Sequence, residues 1–161
     1  RLDAQAHHLD QMPLQISEAV SNVELLLEQP LSAKNVTVQL DSSVGQSILA
    51  DPNAFEKVLF NLIENALKFT PLDGKVHIVA RTKGAMTRIE INDEGPGIPM
   101  AHRDRIFERF YRVDPSRSRE MGGTGLGLAL VRNLVTSMGG EVGVGDSECG
   151  GASFWLELPT A

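Results

Sequence analysis

Four short segments, in one order between residues 61 and 127, constrain this chain more than anything else in it. They are Asn61-Leu62-Ile63-Glu64-Asn65 with Lys68, then Asp93-Glu94-Gly95-Pro96-Gly97, then Phe107 to Arg112, then Gly122-Gly123-Thr124-Gly125-Leu126-Gly127. Two amides one helical turn apart, an acid beside flexible backbone, an arginine cluster and a glycine loop are together the parts of a nucleotide site. Each segment alone has a plainer reading. In combination they predict binding of ATP with Mg²⁺.

Asn61, Asn65 and Lys68 are spaced by four and three, so on a helix they form one stripe. An amide oxygen is a hard neutral ligand for Mg²⁺, which keeps several waters and takes its other oxygens from phosphates. Lys68 is placed to meet those phosphates. The plainer reading is a solvated helix face, although Asn is a poor helix former.

Asp93 ends a β-rich run. A carboxylate there accepts a hydrogen bond from the exocyclic amine of adenine, whereas guanine presents a carbonyl and is repelled. Gly95 and Gly97 permit close backbone approach; a simple turn is the plainer reading. Gly122 to Gly127 opens a helix, where free N–H groups and the positive dipole end bind phosphate. Its register is neither a Walker loop nor a GxGxxG fingerprint. A flexible hinge is the alternative.

Net charge is −6, against general nucleic-acid binding. Yet Arg103, Arg105, Arg109, Arg112, Arg117 and Arg119 lie together, and with Asp104, Glu108 and Asp114 among them the local net is +3. Such a patch suits a triphosphate, or is a solvated run of ion pairs. Phe107, Phe110 and Tyr111 are expected to pack the base of the following loop onto the core. Arg112 is the candidate to reach the phosphates.

The remaining pattern predicts a short strand over 12–16, then a helix capped by Ser17 and ending near Pro30. Residues 36–40 and 48–50 are strand-like and are expected to pair across a turn containing Gly45. A helix over roughly 53–69 is followed by strands at 75–83 and 88–93. A short helix spans 99–107 and a polar loop 111–123. A helix over 125–138 stops at Gly139-Gly140, and strands at 141–147 and 152–158 close the chain. The fold class is α/β: a two-layer sandwich, its sheet mixed and mostly antiparallel, with helices on one face.

The same segments resemble the boxes of the catalytic, ATP-binding domain of two-component sensor histidine kinases, over roughly 12–159. Asn61 to Thr70 resembles the N box, Asp93 to Gly97 the first glycine box, Phe107 to Arg112 the F box and Gly123 to Leu128 the second glycine box. The resemblance implies the Bergerat fold of the GHKL superfamily, shared with gyrase B, MutL and certain chaperones. It implies that Asn65 binds Mg²⁺, with Asn61 as a second candidate and a helper at the phosphates. Lys68, Tyr111 and Arg112 join the ATP site, Asp93 holds adenine, Phe69 and Ile98 line the base pocket, and 111–123 form the ATP lid. Gly95, Gly97, Gly123, Thr124, Gly125, Leu126 and Gly127 complete the ATP-binding set.

Hydrolases of that superfamily carry a Glu four residues before the Mg-binding Asn. Here that position is Asn61, and Glu64 lies about 60° around the helix from it. This favours transfer to a His over hydrolysis. The family's acceptor His is followed by an acid; His7, His8, His77 and His102 are not, so no catalytic nucleophile is assigned. Many members carry Ser or Thr where Ala152 stands, so one water-mediated contact to the base is expected to be missing. The alternatives are a GHKL-type ATPase, a sigma-factor-inhibiting serine kinase and a non-catalytic nucleotide-binding scaffold.

Hydrophobic residues make up 42%, enough for a core. No apolar run approaches the ~20 residues of a membrane helix. The single Cys149 allows no internal disulfide, which fits a reducing cytosol, and is read as a bystander. The chain starts at Arg1 rather than Met, and residues 1–11 resemble the linker that follows a dimerisation and phosphoacceptor hairpin. The expectation is therefore a cytoplasmic, monomeric catalytic fragment, 12–161, without nucleic-acid or membrane contact of its own. Its expected partners are that upstream hairpin and, through it, a response regulator, within a homodimeric protein whose anchoring in the bacterial inner membrane the sequence leaves open.

Overall fold

The computed structural model describes residues 9–41, 46–113 and 127–161. The chain enters as strand β1 (Met12–Gln15) and runs straight into helix α1 (Ile16–Leu26), then α2 (Glu28–Lys34). Strands β2 (Thr37–Asp41) and β3 (Ser47–Ala50) precede the long helix α3 (Pro52–Phe69). Next come β4 (Lys75–Lys83), β5 (Met86–Asn92), the short α4 (Met100–Arg103), α5 (Gly127–Ser137), β6 (Glu141–Asp146) and β7 (Ala152–Pro159).

Five strands form one sheet in the order β2-β4-β5-β7-β6. Only β2 and β4 are parallel; β4–β5, β5–β7 and β7–β6 are antiparallel. The expected mixed, mostly antiparallel sheet is therefore present. Alternation sets its two faces. Val76, Ile78 and Ala80 of β4, Ile89 and Ile91 of β5, and Phe154, Leu156 and Leu158 of β7 are buried. Helices cover that side: α3 contributes Phe55, Val58, Leu59, Leu62, Ile63 and Ala66, α1 adds Ile16, Val20 and Val23, and α5 adds Val131 and Val135. On the outer face Arg88 lies over the Trp155 ring, 4.3 Å from its centroid.

Helix α3 begins where Asp51 caps it: Oδ1 accepts from Ala54 N at 2.9 Å, and Pro52 occupies the first turn, where no donor is needed. The ammonium of Lys34 closes its other end, donating to the carbonyl oxygens of Leu67 at 2.8 Å and Lys68 at 3.4 Å.

Three local expectations are corrected. First, β3 pairs antiparallel with β1, Met12 opposite Ala50, and not with β2. This buries Ile48 and Ala50 completely, while β2 goes to the sheet edge beside β4. Parallel neighbours need a long crossover, and β3 with α3 supplies it. Second, α1 starts at Ile16 with Gln15 as the boundary residue, so Ser17 is not the cap. Burial of Ile16 at the strand–helix junction outweighs the capping preference. Third, Pro30 does not end the helix. The break is at Leu27, and Pro30 sits in the first turn of α2, where its missing N–H costs nothing. Asn35, with φ 53°, ends α2 in the left-handed conformation. The proposed turn at Gly45 lies outside the described residues.

Candidate functional site

The C-terminal half of α3 supplies the first wall. Asn61, Asn65 and Lys68 are half-buried, on a helix whose intervening Leu62, Ile63, Ala66 and Leu67 are buried. Asn61 Nδ2 donates to Lys57 O at 2.8 Å. Its Oδ1 faces the start of α5: a Cβ placed on Gly127 would lie 2.8 Å from it. The structure thus brings together Asn61 of the α3 stripe and Gly127, the last residue of the glycine loop. Gly123, Thr124, Gly125 and Leu126 lie outside the described residues, as does most of the expected lid.

Asp93 stands just past β5 and is 2% exposed. Its Oδ1 accepts from Gly95 N at 2.9 Å and from Ala152 N at 3.0 Å. Among the described residues Oδ2 takes no hydrogen bond, so one oxygen is locked by backbone and the other is open. Burial pushes the carboxyl above the usual carboxylate range, and the two backbone donors partly offset this.

Glycines permit the close packing around this carboxylate. A Cβ on Gly151 would stand 2.1 Å from Asp93 Oδ1, and one on Gly95 would stand 2.7 Å from Phe69 O. Gly97 adopts φ +80°, and its Cβ position lies 3.6 Å from Gly151 O. The first glycine segment is therefore laid between Phe69, at the end of α3, and the β6–β7 turn. Phe69 is partly exposed and Ile98 half-buried, consistent with groups left to meet a flat ring.

The F-box region departs from its expectation in one respect. Phe107 is buried and packs edge-on against Phe154, with centroids 6.1 Å apart. Phe110, however, is 66% exposed. Its φ of 63° turns the chain at that point and directs the ring away from the core. Tyr111 is instead held by its hydroxyl, hydrogen-bonded to His102 Nδ1, and by the Arg105 guanidinium 4.7 Å from its ring centroid.

The arginine cluster is also not one phosphate-facing patch. Arg103 bonds Ile98 O and Asp146, and Arg105 bonds Glu108. Arg112 is half-buried next to Tyr111, and Arg117 and Arg119 lie outside the described residues. Sequence reasoning placed Arg103 in that patch and assigned no role to His102 or Gly151. The glycine pair Gly150-Gly151 was the available signal for the last.

No group of three or more His, Cys, Asp or Glu suited to a metal occurs among the described residues. A metal here would have to arrive with phosphate oxygens and accept an amide, which is how Mg²⁺ is usually bound beside nucleotides. Asn65 offers that amide. No helix of the described residues is long and apolar enough to cross a membrane.

Comparison with known proteins gives a consistent result. Residues 50–161 match the family model described as histidine kinase-, DNA gyrase B- and HSP90-like ATPase. The chain is 42% identical over 127 residues to sensor protein IrlS of Burkholderia pseudomallei, covering 79% of this chain and 27% of that one. It is 33% identical over 144 residues to sensor-like histidine kinase SenX3 of Mycolicibacterium smegmatis, covering 89% and 36%. The crystal structure of full-length ShkA in complex with AMPPNP superposes with a TM-score of 0.81 at 35% identity, covering 96% of this chain and 32% of that one. The chain thus spans about a third or less of the length of these relatives.

Proposed function

The chain belongs to the family of histidine kinase-, DNA gyrase B- and HSP90-like ATPases, and from that premise we propose that it binds ATP with Mg²⁺ and presents the γ-phosphate to a His of a separate dimerisation hairpin in two-component signalling. The observation that carries this reading is Asp93: a buried carboxylate with one oxygen held by two backbone donors and the other open. An oxygen so placed accepts from the exocyclic amine of adenine and rejects the carbonyl of guanine.

The chain's own residues divide the work. Phe69 and Ile98 flank the base; Gly95 and Gly97 let the backbone approach it. Lys68 and Arg112 are assigned to the phosphates, and Tyr111 and Gly123 to Gly127 to the same ATP site. Asn65, assisted by Asn61, would hold Mg²⁺, which supplies charge neutralisation on phosphate oxygens when bound. In the reaction a bond forms between the imidazole nitrogen and γ-phosphorus, the bond to the bridging oxygen breaks, and ADP leaves. Positioning and charge neutralisation carry such a step.

Transfer is preferred to hydrolysis because Asn61 is an amide whose nitrogen is engaged with Lys57 O, not a base for water. None of His7, His8, His77 and His102 precedes an acid, so the acceptor is assigned to an upstream hairpin, which would also dock a response regulator. Titration calorimetry tests the site: ATP with Mg²⁺ should bind and GTP should not. A hairpin bearing the acceptor, added with labelled ATP, should then become phosphorylated on His. A folded chain that binds no ATP overturns the proposal, and steady hydrolysis without transfer would replace kinase with ATPase.

A further inference from the structure

Two walls of the adenine slot are turns rather than regular elements. One is the loop from Asp93 to Pro99, which includes Gly97 at φ +80°. The other is the β6–β7 turn, which delivers Gly151 and Ala152 to Asp93. Each is braced internally. Gly95 N bonds Asp93, and in the turn Ser147 N donates to Gly151 O at 2.9 Å while Cys149 N donates to Ser147 Oγ at 2.9 Å. Those bonds hold the inner ends together at Asp93. They do not fix the outer ends, where the loop leaves through Ile98 and the turn begins at Asp146.

One side chain spans that gap. Arg103, the last residue of α4, donates from Nε to Ile98 O at 2.9 Å and from Nη2 to Asp146 Oδ1 at 2.5 Å. Its side chain is 20% exposed, so the planar fork lies largely within the protein with its geometry set by both acceptors. Asp146 stands opposite Ala152 in the β6–β7 register, and Ala152 N in turn bonds Asp93. A brace at Asp146 therefore acts on the residue pair that orients the carboxylate, and a brace at Ile98 acts on the wall of the base pocket.

We propose that Arg103 is a positioning residue for the base: it fastens the first glycine segment to the β6–β7 turn and so sets the width of the slot that receives adenine. This rests on the adenine-site reading above. In this reading Arg103 acts through Ile98 and Asp146 and is assigned no contact with the base or the phosphates. Its effect should appear equally in every ligand that shares the base.

The test is calorimetry of the whole chain with ATP and with ADP, both with Mg²⁺, for wild type, Arg103→Met, Arg103→Lys and Asp146→Ala. Arg103→Met keeps the aliphatic stem and loses both donors; it should weaken ATP and ADP alike by about fivefold. Asp146→Ala, at a side chain 83% exposed, should leave folding intact and weaken both by about threefold. Arg103→Lys restores one donor and should recover part of the loss. A purely structural role would lower thermal stability without this shared loss of affinity. Wild-type affinities in the variants, or a loss for ATP that exceeds the loss for ADP, overturn the inference and leave the adenine site standing. Should Arg103→Met not fold, Asp146→Ala decides alone. Failure of the wild-type chain to bind either nucleotide overturns both.

Discussion

Asp93 and Ala152 hold each other twice: Asp93 N donates to Ala152 O at 3.0 Å, and Ala152 N donates to Asp93 Oδ1 at 3.0 Å. The first bond continues the β5–β7 ladder and the second converts that ladder into an orienting device for a carboxylate. Side-chain direction at Asp93 is thus an extension of sheet register.

Asp93→Asn separates binding from stability. An amide oxygen can keep both backbone bonds, while its NH₂ now faces the amine of adenine. Affinity for ATP should fall by at least about tenfold in calorimetry. The carboxyl titrates above its ordinary range when folded, so the folded chain retains a proton that the unfolded chain has released. Stability therefore declines as pH rises from the ordinary carboxylate range through that raised titration. Without nucleotide, Asp93→Asn should melt no lower than wild type at neutral pH and should lack this part of the decline.

Gly151→Ala tests the close approach. The added methyl would lie 2.1 Å from Asp93 Oδ1 and 2.6 Å from Gly95 N, neither of which can withdraw without breaking the bonds above. A loss of about 1–3 kcal/mol is expected in denaturant unfolding, together with loss of adenine binding. Gly145→Ala, whose Cβ position has nothing within 4 Å, is the matched control and should do neither.

Asn65→Ala addresses the metal. With Mg²⁺ present, ATP affinity should drop to the level that wild type shows in chelator, a fall of about tenfold or more. Affinity measured without Mg²⁺ should be nearly unchanged. Equal losses with and without the ion would remove Asn65 from the metal role.

Asp51→Ala removes a carboxylate with two uses, capping α3 through Oδ1 and accepting Asp10 N at 2.9 Å through Oδ2. About 1 kcal/mol should be lost, seen as a lower urea midpoint with an unchanged slope. Asp51→Asn, which can still cap, should recover most of it.

Periodicity made α3, β4, β5, α5 and β7 legible because each repeats its apolar residues at the spacing of one secondary structure and buries them against a single layer, whereas β6 only half-buries Val142 and Val144. Strand β3 is only four residues long, and its choice between β1 and β2 depends on where α3 carries the chain, which no local pattern encodes. The site divides along similar lines. Asn61, Asn65 and Lys68 are legible as a stripe because helix geometry fixes their relation. The arginines mislead because counting charges along the chain ignores reach: Arg103 finds Asp146 across 43 positions. Tyr111 likewise finds His102 across a turn. The close approach of Gly151 to Asp93 depends on the β5–β7 register and had no sequence signature beyond a pair of glycines.

Strand β7 lies between β5 and β6, although it is the last strand described in the chain. During synthesis, every residue through Ser147 can leave the ribosome while the sheet still lacks the strand that joins β5 to β6. The nascent chain carries β5 with a vacant edge until residues 152–159 have emerged, and only their insertion draws Ala152 to Asp93. The approach of Ala152 to Asp93 is therefore deferred until this strand has emerged, and a chain that stops before it keeps β5 with an unpaired edge.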